Sequence, residues 1–175
     1  MLDPLIWDNL VPETLQQQIL SSATGGAWQW SPRLLIQQPG EILPPILYFT
    51  QLLSVTENSI VELTDRVSQA AGRRFLCVNS KFNLQIALSS HQTTSGKPHR
   101  DGGDPEWVCI YYVTGGNGDT RLLQSEEGSI THSIEPRQGR VVLFSGSLWH
   151  SAGRPTHGHR CILNLHMAEQ RQDRL

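Results

Sequence analysis

The spacing of apolar residues changes near residue 75. Within residues 1–75, two segments carry apolar side chains at helical spacing. The first covers residues 12–20, has a proline near its first turn and ends at Gly25-Gly26. The second covers residues 58–71, and Gly72 ends it. This part of the chain is therefore predicted to be mainly helical.

The rest of the chain has the pattern of short strands separated by glycine-rich turns. Strands are predicted there at residues 82–88, 106–113, 119–124, 129–134, 140–144 and 160–166. One short strand, at residues 33–37, is predicted within the mainly helical part. Closely spaced strands of this kind are typical of an antiparallel sandwich or barrel. Helices followed by strands indicate an α+β fold with helices packed outside the barrel. We expect one domain over residues 1–175, with residues 1–75 as helical support and residues 76–168 as the strand core.

Composition narrows the class of protein. The chain has 175 residues, a net charge of −2 and a pI of about 6.4. It therefore lacks the excess of positive charge that is typical of nucleic-acid-binding proteins. No apolar run approaches the length of a membrane span, and the first residues do not resemble a signal peptide. The three cysteines, Cys77, Cys109 and Cys161, are widely spaced and odd in number. A disulfide framework is not expected, and a reducing, cytoplasmic setting fits better.

Two short segments carry the residue types of a metal site. His99-Arg100-Asp101 places an imidazole and a carboxylate two residues apart, so in a strand both point to the same side. Gly102-Gly103 then turns the backbone, and the predicted strands that follow return the chain to His150. Two histidines and one carboxylate form the facial triad that holds Fe(II) and leaves other positions open. We predict His99, Asp101 and His150 as metal ligands.

Arg160 begins an apolar strand, where a charge must be paired or must face a cavity. A guanidinium at that position suits the bidentate binding of a carboxylate, as in a dicarboxylate co-substrate. The alternative is a salt bridge to a glutamate on a neighbouring strand.

The other side chains near these segments have ordinary explanations. The remaining histidines are expected to be surface or structural residues: His91, His132, His157, His159 and His166. Four apolar residues could line a pocket, although core packing explains them equally well: Ile110, Leu122, Val142 and Leu163. Trp149 either shields the metal or packs.

The arrangement His99-x-Asp101, His150 and Arg160 on a strand-rich half resembles the Fe(II)- and 2-oxoglutarate-dependent dioxygenases. Residues 108–112, with their tyrosine pair after the His-x-Asp segment, are similar to those of the prolyl hydroxylases. The resemblance implies a double-stranded β-helix (jelly-roll) fold over about residues 80–168. It also implies that Fe(II), 2-oxoglutarate and O2 are required, with ascorbate as support. Arg160 and Tyr112 would bind the far carboxylate of 2-oxoglutarate.

What the resemblance implies for the reaction is hydroxylation of a small-molecule or peptidyl substrate: a prolyl residue, a free amino acid or a natural-product intermediate. Halogenating relatives carry a small residue at the position of Asp101, so halogenation is not expected. The chain departs from prolyl hydroxylases in three places. Ser89 stands where they have a tyrosine, the interval from His150 to Arg160 is one residue longer, and residues 89–98 carry no readable substrate code.

Two alternatives remain open from the sequence. One is a cupin-like metal enzyme that does not use 2-oxoglutarate; cupins usually present more histidines on neighbouring strands. The other is a binding module that keeps the barrel without turnover. The oligomeric state cannot be read from the sequence.

Overall fold

The computed structural model describes residues 3–30, 46–87, 96–102 and 106–170. Two helices and ten strands form in these ranges. In chain order they are β1 (Leu5–Trp7), α1 (Glu13–Gly25), β2 (Gln29–Trp30), β3 (Ile46–Leu53), α2 (Asn58–Ala71), β4 (Phe75–Ala87), β5 (Glu106–Tyr112), β6 (Thr120–Leu123), β7 (Ile130–Ile134), β8 (Val141–Ser145), β9 (Trp149–Ala152) and β10 (His159–Glu169).

The strands form two antiparallel sheets. The major sheet has the order β1-β8-β5-β10-β4-β3-β2, and the minor sheet has the order β7-β6-β9. The double-stranded β-helix predicted from the sequence is confirmed by this arrangement. Both helices are also confirmed, and Gly72 ends α2 in the left-handed conformation that favours glycine (φ 64°).

The region before residue 75 is less purely helical than predicted. It contributes β1 to one side of the major sheet and β3, followed by β2, to the other. β3 pairs with β4 over eight residues and so brings a long N-terminal strand beside the core. The predicted strand at residues 33–37, Ser89 and His91 lie outside the described residues.

The two faces of the major sheet have different partners. Its outer face packs on the helices, where Leu15, Ile60 and Leu163 belong to one buried cluster. Its inner face meets the minor sheet, where Ile110, Val142 and Leu122 belong to a second cluster. Because successive side chains of a strand point to opposite faces, the three central strands β5, β8 and β10 each supply residues to both clusters.

Candidate metal centre

His99 and His150 are held next to each other by the backbone. The two residues exchange N–H···O=C hydrogen bonds of 2.9 Å in each direction, an isolated antiparallel pair at the end of β9. Their ring centroids are 4.4 Å apart. Within the described residues 96–102, the strand geometry assumed for His99-Arg100-Asp101 consists of this single pair, which is enough to bring the two imidazoles together.

Both imidazoles are oriented by their own backbone. His99 Nδ1 lies 3.1 Å from the carbonyl oxygen of Lys97, and His150 Nδ1 lies 3.0 Å from that of Leu148. A hydrogen bond at Nδ1 fixes the ring and leaves Nε2 as the free lone pair, which is the usual arrangement of a metal-binding histidine.

Asp101 completes the cluster. Its Oδ1 is 3.5 Å from His99 Nε2, and its Oδ2 is 3.4 Å from His150 Nε2. One ligand atom from each of the three residues lies within 4.8 Å of the others. Ligand nitrogens and oxygens of a zinc site lie about 2.0–2.2 Å from the ion, so donors at these separations can share one ion after small side-chain movements.

The protonation states suit a cation. Burial alone raises the pKa of Asp101, but its close contact with His150 and the charges of the nearby histidines lower it to about 2. Burial, followed by the charge of His150, lowers the pKa of His99 below its usual 6.5. At neutral pH the cluster therefore offers one carboxylate and, at His99, a neutral imidazole.

The cluster is open on one side. The side chain of His99 is 49% exposed, whereas that of His150 is 7% exposed and lies edge-on against Phe144, 5.0 Å between ring centroids. Nearby, the guanidinium of Arg100 stacks 4.7 Å from the ring centroid of Trp149, so Trp149 has a packing partner.

Arg160 is a buried cation for which the described residues provide no acidic partner. It is 1% exposed, and its Nη2 donates to Thr120 Oγ1 at 2.8 Å. The hydroxyl of Tyr112 donates to the same oxygen at 2.6 Å. Among the described residues no carboxylate is within ion-pair distance of Arg160, and its Nε has no hydrogen-bond partner. The salt bridge considered as the alternative is therefore not formed there, and an uncompensated buried charge costs several kcal/mol.

A second tyrosine, which the sequence did not single out, faces the same space. Tyr48 on β3 is opposite Gln85 on β4, and Gln85 is opposite Arg160 on β10, so the three side chains share one face of the sheet. Burial raises the pKa of Tyr48, the charge of Arg160 opposes that shift, and the charge of Asp101 adds to it. Tyr48 therefore lies within electrostatic reach of both the arginine and the acidic residue.

His166 also lies at the site, although the sequence indicated only a surface or structural role for it. Its Nε2 is 3.6 Å from Asp101 Oδ2. Arg160 and His166 are six residues apart on one strand, and an even separation places two side chains on the same face. This spacing is the signal in the sequence that could have identified His166. The other described histidines remain peripheral, with His132 near Asp3 and His157 near Asn117.

Three of the four predicted pocket residues lie on the inner side. Ile110, Leu122 and Val142 pack between the sheets. For Leu163 the other explanation, core packing, applies, because it belongs to the cluster that contains the helices on the outer face. A separate cavity of about 520 Å³ lies beside the end of α2 and is lined by residues such as Ser68, Arg73 and Glu169; none of the residues around Asp101 or Arg160 lines it.

The cysteines are free and buried. Burial raises the pKa of the Cys77 thiol to about 11 and that of Cys161 to about 12, so both remain protonated at neutral pH. In the described residues no helix has the length and apolar character needed to cross a membrane.

Comparison by sequence finds no matching protein-family model and no matching curated protein. Comparison by structure finds many relatives of the same fold. A prolyl-4-hydroxylase from Pseudomonas putida is 15% identical, with 97% of this chain and 93% of that chain covered and a TM-score of 0.58. An oxidoreductase of the 2OG-Fe(II) oxygenase family from Burkholderia pseudomallei is 10% identical, with 94% and 84% covered and a TM-score of 0.68.

A third similar structure is a prolyl hydroxylase from Trichoplax adhaerens in complex with a hypoxia inducible factor peptide fragment. It is 13% identical, with 93% of this chain and 82% of that chain covered and a TM-score of 0.62. At these identities structural similarity establishes the architecture and leaves the chemistry to be argued from the site. The chain has the fold of the 2OG-Fe(II) oxygenases and prolyl hydroxylases.

Proposed function

We propose that the protein is a non-haem Fe(II) oxygenase that uses 2-oxoglutarate and O2 to hydroxylate a substrate. The observation that carries the proposal is Arg160, a buried guanidinium that lacks an acid among the described residues and lies on the same inner surface as Tyr48. A buried cation of this kind needs an anion, and the far carboxylate of 2-oxoglutarate supplies one.

His99, Asp101 and His150 are proposed to hold Fe(II). The residues fit the ion by donor type, because two imidazole nitrogens and one ionised carboxylate oxygen form the facial triad. When bound, iron and 2-oxoglutarate supply oxidative decarboxylation to succinate and CO2, coupled to hydroxylation of a C–H bond. The residues of the chain bind and orient the reactants and exclude water.

The co-substrate pocket is proposed to run from Arg160 towards the metal. Thr120 Oγ1 accepts a hydrogen bond from the guanidinium of Arg160 and another from the hydroxyl of Tyr112, and so holds the two donors side by side. A carboxylate could bind to both donors without a change in the sheet. Prolyl hydroxylases have a tyrosine at the position of Ser89, and Tyr48 is proposed to perform the role of that tyrosine here. It reaches the pocket from a different strand, and its raised pKa keeps its hydroxyl protonated as a donor.

The substrate is proposed to be a small molecule or a peptide, with a prolyl residue and a free amino acid as the first candidates. The Trichoplax structure was determined with a peptide fragment, which supports including peptides in a screen. The free, buried thiols of the described residues agree with the proposed cytoplasmic setting.

Succinate formation tests the proposal. The purified protein is incubated with Fe(II), ascorbate and 2-oxoglutarate, with and without candidate peptides and amino acids, and succinate is measured. We expect slow substrate-independent release that rises with the correct substrate. Absence of 2-oxoglutarate binding by calorimetry would refute the proposal.

One observation favours a second candidate. His166 adds a third imidazole beside Asp101, and additional histidines on neighbouring strands are a feature of cupin-like metal enzymes that do not use 2-oxoglutarate. That candidate leaves Arg160 without a role and predicts metal binding with no 2-oxoglutarate binding. A non-catalytic module predicts 2-oxoglutarate binding with no succinate from any substrate.

A further inference from the structure

His166 is aimed at the carboxylate of Asp101. Its side chain is 20% exposed, but its Nε2 is fully buried and makes no hydrogen bond with the described residues. The polar atom placed opposite that nitrogen is Asp101 Oδ2, at 3.6 Å. The separation is a few tenths of an ångström beyond a hydrogen bond, so a small rotation of either side chain forms one.

An irregularity of the sheet accompanies this position. The pairing of β10 with β4 shifts register between His166 and Met167, and Val78 of β4 is the residue left without an opposite number. On the other side of β10 the pairing with β5 continues without a shift. β-Bulges redirect side chains and are concentrated beside active sites. The register shift therefore lies directly beside the residue that approaches Asp101.

The carboxylate of Asp101 has two oxygens with different surroundings. Oδ1 is near His99 Nε2, whereas Oδ2 is near the Nε2 atoms of both His150 and His166. If both oxygens bound one ion, the protein would occupy four positions instead of three. A six-coordinate ion would then lack room for a two-point co-substrate and O2 together. A donor on Oδ2 keeps that oxygen away from the ion.

We infer that His166 is a positioning residue of the metal centre: its Nε2–H donates to Asp101 Oδ2 and restricts the carboxylate to one metal-binding oxygen, Oδ1. The inference rests on the proposed metal site. It assigns His166 no contact with substrate or co-substrate, and its effect passes entirely through Asp101. Partners of this kind around metal ligands change metal affinity about 10–100-fold when removed.

The test uses Co(II) as a redox-stable probe bound to the metal-free full-length protein. Affinity is measured by calorimetry, and the visible absorption of bound Co(II) reports the coordination number. His166→Phe keeps a ring of similar size without a donor, and His166→Gln places an amide N–H at the depth of Nε2. His132→Phe is the matched control, since that histidine is half-exposed on β7 near Asp3.

We expect His166→Phe to weaken Co(II) binding about 10–100-fold and to change the absorption spectrum. His166→Gln should restore most of both, and His132→Phe should match the wild type. Circular dichroism confirms that each variant is folded, and His166→Gln provides the comparison if the phenylalanine does not fold.

Three results would overturn the inference. Wild-type affinity and spectrum in His166→Phe mean that the imidazole only fills space. Failure of the folded glutamine variant to restore either property means that the donor is irrelevant. A loss far beyond a hundredfold, with one nitrogen ligand fewer, means that His166 binds the ion directly. If the wild type itself binds no Co(II), the proposed metal site fails first, which separates the two conclusions.

Discussion

Replacing Arg160 by methionine should separate the binding of 2-oxoglutarate from the stability of the protein. The guanidinium is buried, and its described partners are neutral: the Thr120 hydroxyl and Tyr112, whose ring centroid is 5.6 Å away. Truncating one partner of a buried, hydrogen-bonded charge pair costs about 2–5 kcal/mol. At 1.36 kcal/mol per factor of ten, 2-oxoglutarate affinity should fall roughly 30- to 5,000-fold.

The same substitution should raise the melting temperature of the ligand-free protein, because it replaces a buried charge, for which the described residues supply no counter-ion, with an apolar side chain. Binding is measured by calorimetry with Mn(II) in the site, and melting by scanning calorimetry. 2-Oxobutyrate is the control ligand, since it keeps the metal-chelating end of 2-oxoglutarate and lacks the far carboxylate. Its affinity should be the same in wild type and variant.

The reasoning is refuted if Arg160→Met binds 2-oxoglutarate as tightly as the wild type does. It is also refuted if the affinity for 2-oxobutyrate falls by the same factor, because the damage would then lie at the metal end. A large drop in melting temperature would show that Arg160 has a structural partner instead of serving a ligand.

Three further outcomes are expected. Asp101→Ala should abolish the rise in melting temperature that Co(II) gives the wild type, whereas His132→Ala should retain it. Thr120→Val should cost about 1–3 kcal/mol in urea unfolding, because it removes the oxygen that accepts from two buried donors, and Thr120→Ser should restore most of this. Asp8, whose pKa the Arg140 hydrogen bond lowers below 3.8, should stabilise the wild type over Asp8→Asn by about 0.2–1 kcal/mol at neutral pH. That difference should vanish as pH falls through the lowered pKa; a constant difference would contradict it.

The sequence predicted the strand core well, because period-two patterns and glycine turns are local signals. The end of α2 followed from Gly72 for the same reason. Proximity of His99, Asp101 and His150 also followed, since parity and strand order determine which side chains converge. Their role as metal ligands, and that of Arg160 and Tyr112, remains a prediction.

What the sequence missed depends on register between distant strands. Tyr48 enters the site only because β3 pairs with β4 so that Tyr48 is opposite Gln85, and nothing local to residue 48 specifies that alignment. For Leu163 the sequence analysis left pocket lining and core packing open, although its odd separation from Arg160 already indicated the core face. His166 was discarded as one histidine among seven, whereas its even separation from Arg160 indicated the inner face.

The mutual backbone hydrogen bonds of His99 and His150 have a consequence for how the protein acquires its metal. The two imidazoles are brought together by peptide groups, so the donor set forms when the sheet forms and needs no ion as a template. Zinc fingers behave in the opposite way and are unfolded without metal. Since His99 is half exposed, an ion can enter and leave from that side by rotation of one side chain. We therefore expect a metal that exchanges readily with the surroundings, drawn from the available pool after folding and removed by chelators without unfolding the chain.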